Sequence, residues 1–165
     1  MKRQPLTVWA IIAIIVTLAG ALVLSTVPLG VGSAALPWPN LMLCVVYFWM
    51  IHRPSGLPTL AILATGLVSD LIGGGVIGAG MLALLIVTSF LRSGADSLER
   101  SAFGLRWLAF VGFAAFAFLL EGLLSALPQW TIPPIGPAFA QFLVTVLAYG
   151  FVSVLFRKVL RIGRT

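Results

Sequence analysis

The stretch "GLVSDLIGGGVIG", residues 66–78, decides how the chain is read. It sets one carboxylate, Asp70, inside an apolar run and follows it with Gly73, Gly74 and Gly75. No other charged residue lies between Arg53 and Arg92. A run of this kind either crosses a membrane twice or enters and folds back. In both cases the glycines mark the turn.

Composition sets the solvent. Of 165 residues, 61% are hydrophobic and 8% charged, and the mean hydropathy is +1.15. A soluble domain carries about 25% charged residues, so a bilayer suits this chain better than water. Apolar runs recur along it, each approaching the roughly 20 residues that cross a hydrocarbon core. The net charge of +6 does not point to nucleic acid. The ten Lys and Arg residues sit in short clusters between apolar runs, not on one basic face. The one cysteine, Cys44, gives no disulfide framework or thiolate metal site and reads as a small buried hydrophobe.

Six apolar segments emerge, at about 6–27, 35–51, 57–73, 76–91, 107–127 and 135–156. The first follows Lys2 and Arg3, but it exceeds the roughly 7–15-residue core of a cleaved signal and is read as a span. Residues 1–5, 52–56, 92–106 and 157–165 hold every Lys and Arg, whereas 28–34, 74–75 and 128–134 hold none. Six spans put all four basic stretches on one side, which the positive-inside rule makes the cytoplasm. The expectation is an all-α membrane protein, a six-transmembrane-helix bundle in one integral domain over 1–165, with both termini cytoplasmic. Spans three and four are short, and a re-entrant pair would satisfy the same parity; two short spans are the preferred reading.

The outward stretches "VPLGVGSAALPWPN" and "LPQWTIPPIGP" are uncharged, rich in Pro and Gly, and carry Trp38 and Trp130, as an interfacial aromatic belt requires. Pro39 is expected to start the second helix, where its missing N–H costs nothing. The inward stretch "RSGADSLERSAFGLR" is expected to form a short interfacial turn. No internal repeat supports an inverted-repeat transporter.

Asp70 follows Gly66 by four residues, on one helical face with Thr59 and Gly73. That small, polar stripe should face protein. Glu121 lies at a similar depth, seven residues before Pro128, and no Lys or Arg shares that depth. Two roles fit Asp70. In one, "GGGVIG" brings the chain round so that the N–H groups and positive end of span four meet the carboxylate. In the other, Asp70 and Glu121 form an intramembrane proton or cation site. The same alternatives stand for Glu121, without an adjoining glycine loop.

Two stripes at steps of four complete the set. Ala13, Thr17, Ala21 and Ser25 form a small-residue face in span one. Gln141, Thr145, Tyr149 and Ser153 form a mildly polar face in span six. Each either packs within the bundle or meets a partner helix or cavity. No catalytic constellation is found, since His52 stands beside Arg53 with no acid or thiol nearby in sequence. No metal-ligand spacing, phosphate-cradling motif or cofactor signature is found either, so the chain is read as a non-enzyme.

Two stretches carry a family resemblance: "PWPNLMLCVVYFWMIHRP", residues 37–54, and "GLVSDLIGGGVIGAGMLALLIVTSFL", residues 66–91. They resemble the rod-shape-determining membrane protein MreD family. There a Pro-Asn start leads to a helix ending near Tyr-Trp, then Gly-x-x-x-Asp-Leu and a Gly-x-x-x-Gly turn. The matching positions are Pro39, Asn40, Tyr47, Trp49, Gly66, Asp70, Leu71, Gly74 and Gly78. "FRKVLR" near the end also fits the family's basic cytoplasmic terminus. One departure is the turn "GGGVIG", where many relatives place Ser and Pro near the second glycine.

The resemblance implies a non-catalytic subunit of the rod-shape (elongation) complex in the bacterial inner membrane. Such a subunit binds MreC and, through it, RodA, its partner transpeptidase and, indirectly, MreB, helping to position or regulate peptidoglycan synthesis. It also implies a fold similar to the substrate-binding component of energy-coupling-factor transporters. The alternative function is therefore such a vitamin-capturing component. A proton channel would need a connected polar path, which two acids at one depth do not supply.

Overall fold

The computed structural model describes residues 8–26, 38–52, 58–73, 76–129 and 135–162, with side chains over 12–25, 38–52, 58–73, 76–127 and 135–156. Among these residues every regular element is an α-helix: α1 (Val8–Thr26), α2 (Leu41–His52), α3 (Thr59–Gly73), α4 (Ala79–Arg100), α5 (Phe103–Gln129) and α6 (Ile135–Ile162). Each falls on one of the six apolar segments. Three stretches, Ala79–Arg100, Phe103–Leu127 and Ile135–Phe156, are long and apolar enough to cross a membrane. Leu60, Leu119, Leu147 and Phe151 are each more than 70% exposed. They are spread over α3, α5 and α6, and a soluble monomer does not carry apolar surface so widely. The chain is a membrane protein.

The core is a single helix wrapped by the others. Every residue of α2 from Met42 to Ile51 is buried. A helix that is apolar all round must be surrounded, and α2 meets α1, α3, α4 and α6 directly. Its remaining neighbour is α5, through Tyr47, whose ring centroid lies 5.0 Å from those of Phe110 and Phe113. The 12 residues of α2 span only about 18 Å at 1.5 Å per residue, against about 30 Å of hydrocarbon. This helix therefore ends inside protein, and its unpaired backbone groups must be met there.

At the start of α2 a local cap meets them, and side-chain bonds then tie the helix to elements far away in sequence. The helix begins at Leu41, two residues beyond Pro39, and Asn40 serves as its cap. The Leu43 N–H donates to Asn40 Oδ1 at 3.1 Å, and the Asn40 N–H donates to Thr145 Oγ1 on α6 at 2.9 Å. Midway along α2 the Tyr47 hydroxyl donates to the Arg106 carbonyl at 2.9 Å, fixing α2 to the start of α5. Two residues further on, the Trp49 indole N–H donates to Thr17 Oγ1 on α1 at 2.9 Å.

α4 is longer than the fourth apolar segment. The charged stretch expected as an interfacial turn is helical through Arg100, and the chain breaks only at Ser101 and Ala102. Spacing explains this. Leu91, Ala95 and Leu98 recur at helical intervals and keep one face on the bundle; Ala95 is buried, and Leu91 and Leu98 pack on the core. The polar residues Arg92, Asp96, Glu99 and Arg100 occupy the exposed faces.

A polar cavity beside a helix clasp

At one end of the bundle α3 turns into α4 within a few residues, and Asp70 closes the turn. Its Oδ2 accepts the Gly78 N–H at 2.8 Å and the Met81 N–H at 3.2 Å. These are orphan donors of the first turn of α4, and the positive end of the helix favours a carboxylate there. Bonds to a charged acceptor are worth about 1.5–3 kcal/mol each. Gly78 adopts φ +96°, in the left-handed region where side chains other than glycine are strained.

Glycines set how closely α3 and α4 approach. A Cβ on Gly66 would lie 2.6 Å from the Met81 Cα, and one on Gly80 would collide with Asp70 Oδ1. Gly66 therefore admits the backbone of α4, and Gly80 admits the carboxylate. Gly80 was not singled out from sequence; its signal is its place two residues beyond Gly78, on the turn that Asp70 caps. Thr59 and Gly73, at the ends of the same stripe, are exposed, and Arg92 Nη2 reaches Thr59 Oγ1 at 3.3 Å.

Next to the clasp lies a cavity of about 320 Å³ bordered by all six helices or their leads. Asp70 and Glu121 both line it, so the structure brings the two predicted acids to one space. Glu121 has no hydrogen-bond or ion-pair partner among the described residues. The lining also includes Trp38, Asn40, Ser69, Ser125 and Gln141, and no Lys, Arg or His. The Trp38 indole nitrogen is buried and has no hydrogen-bond partner among the described residues. A recess of about 20 Å³ continues inward past Gly66, Gly80 and Glu121, room for about one water. The cavity exists because α2 starts late, leaving Asn40 and its lead as a floor below the ends of the other helices.

The other predicted residues fall in several places. Tyr47, Trp49 and Asn40 bind α2 to α5, α1 and α6, as described above. The Pro39 carbonyl accepts the Leu41 N–H at 2.8 Å. Leu71 is exposed on the apolar surface, and Gly74 and Trp130 lie outside the described residues. On the α1 stripe Ala21 is buried and Thr17 meets Trp49, whereas Ser25 borders the cavity. On the α6 stripe Thr145, Tyr149 and Ser153 are buried and Gln141 borders the cavity.

The described residues contain no cluster of three or more His, Cys, Asp or Glu. Cys44 is buried, its thiol directed at the Thr145 carbonyl at 3.7 Å. His52 lies at the far end of α2, stacked on Phe48 with ring centroids 4.1 Å apart.

The family model described as rod shape-determining protein MreD matches residues 4–161. No curated protein and no solved structure matches the chain.

Proposed function

The chain belongs to the MreD family of rod shape-determining proteins, and from that premise we propose that it is a non-catalytic subunit of the rod-shape complex. It is a multi-pass protein of the bacterial inner membrane. Its Asp70 end faces outward, and both termini lie in the cytoplasm with the Arg106 end. It binds MreC and, through it, RodA and the partner transpeptidase, with MreB engaged indirectly, and it acts on peptidoglycan synthesis by positioning or regulation. It needs no cofactor. The observation that carries this reading is the family match over 4–161, almost the whole chain. Segregation of every Lys and Arg to one set of connections supports the orientation.

The test is purification of the tagged chain from its native membrane in a gentle detergent, with co-purifying proteins identified by mass spectrometry. The reading expects MreC with RodA or the transpeptidase. The cavity at the Asp70 end favours a second reading, a capture component of an energy-coupling-factor vitamin transporter. Recovery of paired ATPases and a coupling subunit would replace the first reading with that one.

A further inference from the structure

The apolar surfaces that the bundle presents are unequal in height. Exposed apolar side chains run from Phe103 to Leu127 on α5 and from Ile135 to Leu155 on α6. At 1.5 Å per residue these bands stand about 36 and 30 Å tall, enough for the roughly 30 Å of a hydrocarbon core. On α3 the band runs only from Leu60 to Ile72, and beyond the turn from Ile77 to Phe90. Those two stand about 18 and 20 Å tall.

The shortfall lies at the cytoplasmic end. α4 and α5 form an antiparallel hairpin broken only at Ser101 and Ala102, so residues equally far from the break share a level. Ala83 and Glu121, which border one recess in the outer half, keep that register. Leu108 of α5 is therefore level with Ala95 of α4, and it is 60% exposed. Around Ala95, however, α4 exposes Arg92, Ser93, Asp96 and Ser97, all polar. The helix does not lean away there, because Ala95 is buried and Leu91 and Leu98 pack on the core. α3 adds no apolar cover, since it starts at Thr59, whose Oγ1 accepts from Arg92 Nη2 at 3.3 Å. At one height, then, α5 shows leucine and the α3–α4 flank shows charge.

We infer that the cytoplasmic leaflet rises against the α3–α4 flank, so that phospholipid headgroups and their water cover residues 92–97 at the height where acyl chains meet Leu108. The inference rests on the proposed orientation. Acyl chains against Arg92 and Asp96 would leave charge in hydrocarbon, and a bilayer meets a short apolar band by thinning locally. A polypeptide fits this face less well. From Arg92 to Arg100 its exposed side chains are two arginines, Asp96, Glu99 and two serines. They balance in charge and offer none of the aromatic or apolar anchors that centre a protein interface. A hydrated layer of headgroups, itself a mixture of cations and anions, meets all of them.

The test places a nitroxide at Ser93→Cys, Ser97→Cys and Leu108→Cys in the full chain, reconstituted in vesicles of phosphatidylcholine and phosphatidylglycerol. Cys44 is buried, and the wild-type chain carried through labelling sets the background. Power saturation compares collisions with oxygen, which partitions into hydrocarbon, and with a water-soluble nickel chelate. The chelate-to-oxygen ratio is severalfold higher at Ser93 and Ser97 than at Leu108. Should Leu108→Cys not accumulate, Leu105→Cys, also exposed, takes its place. Equal ratios at the three positions would overturn the inference, whether all are wet or all lie in hydrocarbon. Low collision rates with both reagents at Ser93 and Ser97 would show the face covered by protein and would overturn it as well.

Sidedness separates this inference from the orientation it rests on. A membrane-impermeant maleimide reacts with Ser97→Cys in inverted membrane vesicles and not in intact spheroplasts. The reverse result overturns the orientation and the cytoplasmic assignment together, while the step between Ser93 and Leu108 is decided by the nitroxides alone.

Discussion

Asp70 Oδ2 lies 2.8 Å from the backbone nitrogen of Gly78, eight residues further along the chain. The same oxygen accepts the Met81 N–H, so one side chain on α3 satisfies two donors at the start of α4. Inside a membrane these donors have no water to turn to. The clasp holds together the part of the bundle where the acidic cavity opens.

Removing the carboxylate therefore costs more than a surface change. Asp70→Leu leaves both N–H groups without an acceptor and destabilises the protein by about 3 kcal/mol or more. Asp70→Asn keeps one carbonyl oxygen and loses about half as much. Membrane abundance and the thermal midpoint in detergent measure both, in that order of severity.

Glycine replacements separate close approach from ordinary helix. Gly66→Ala drives a methyl against the Met81 backbone and forces α3 and α4 apart, at about 1–3 kcal/mol. Gly73→Ala meets nothing within 4 Å and leaves the thermal midpoint unchanged or slightly raised, since alanine is the better helix former. Equal losses at the two positions would refute the tight α3–α4 contact.

The junction between α2 and α6 depends on Thr145. Thr145→Val keeps the shape and strands the Asn40 N–H, costing about 1–3 kcal/mol, and Thr145→Ser restores the bond. Asn40→Ala removes the helix cap instead and costs about 1 kcal/mol. Denaturation midpoints of the three variants check this ranking.

At the α1–α2 contact the donor is the group that suffers. Thr17→Val strands the Trp49 indole N–H, which lies on a residue only 1% exposed. Trp49→Phe removes that donor, while Thr17 keeps its own bond to the Ala13 carbonyl at 2.7 Å. The double variant then loses less than the sum of the single losses. Additive losses would show that the bond carries no coupling.

Much of this architecture is legible in the sequence, for physical reasons that also mark where legibility stops. The six helices follow from apolar run length, and the Asp70 clasp from a carboxylate placed just before a glycine turn. The central position of α2 is not legible, because an apolar run looks the same whether lipid or protein surrounds it. The helical end of α4 is hidden by its charges, although Leu91, Ala95 and Leu98 hold the period. Asn40 and Thr145 meet across 105 residues, which no local pattern encodes. Glu121 could be matched to Asp70 by depth alone, but the cavity they share arises from the shortness of α2, and Trp38 enters it through that same geometry.

The most direct test replaces the native copy in its own host with Asp70→Leu and reads cell shape and membrane abundance in the same cells. The account predicts rounded cells with depleted protein, and an intermediate phenotype for Asp70→Asn. Rod-shaped cells with undiminished protein would contradict it.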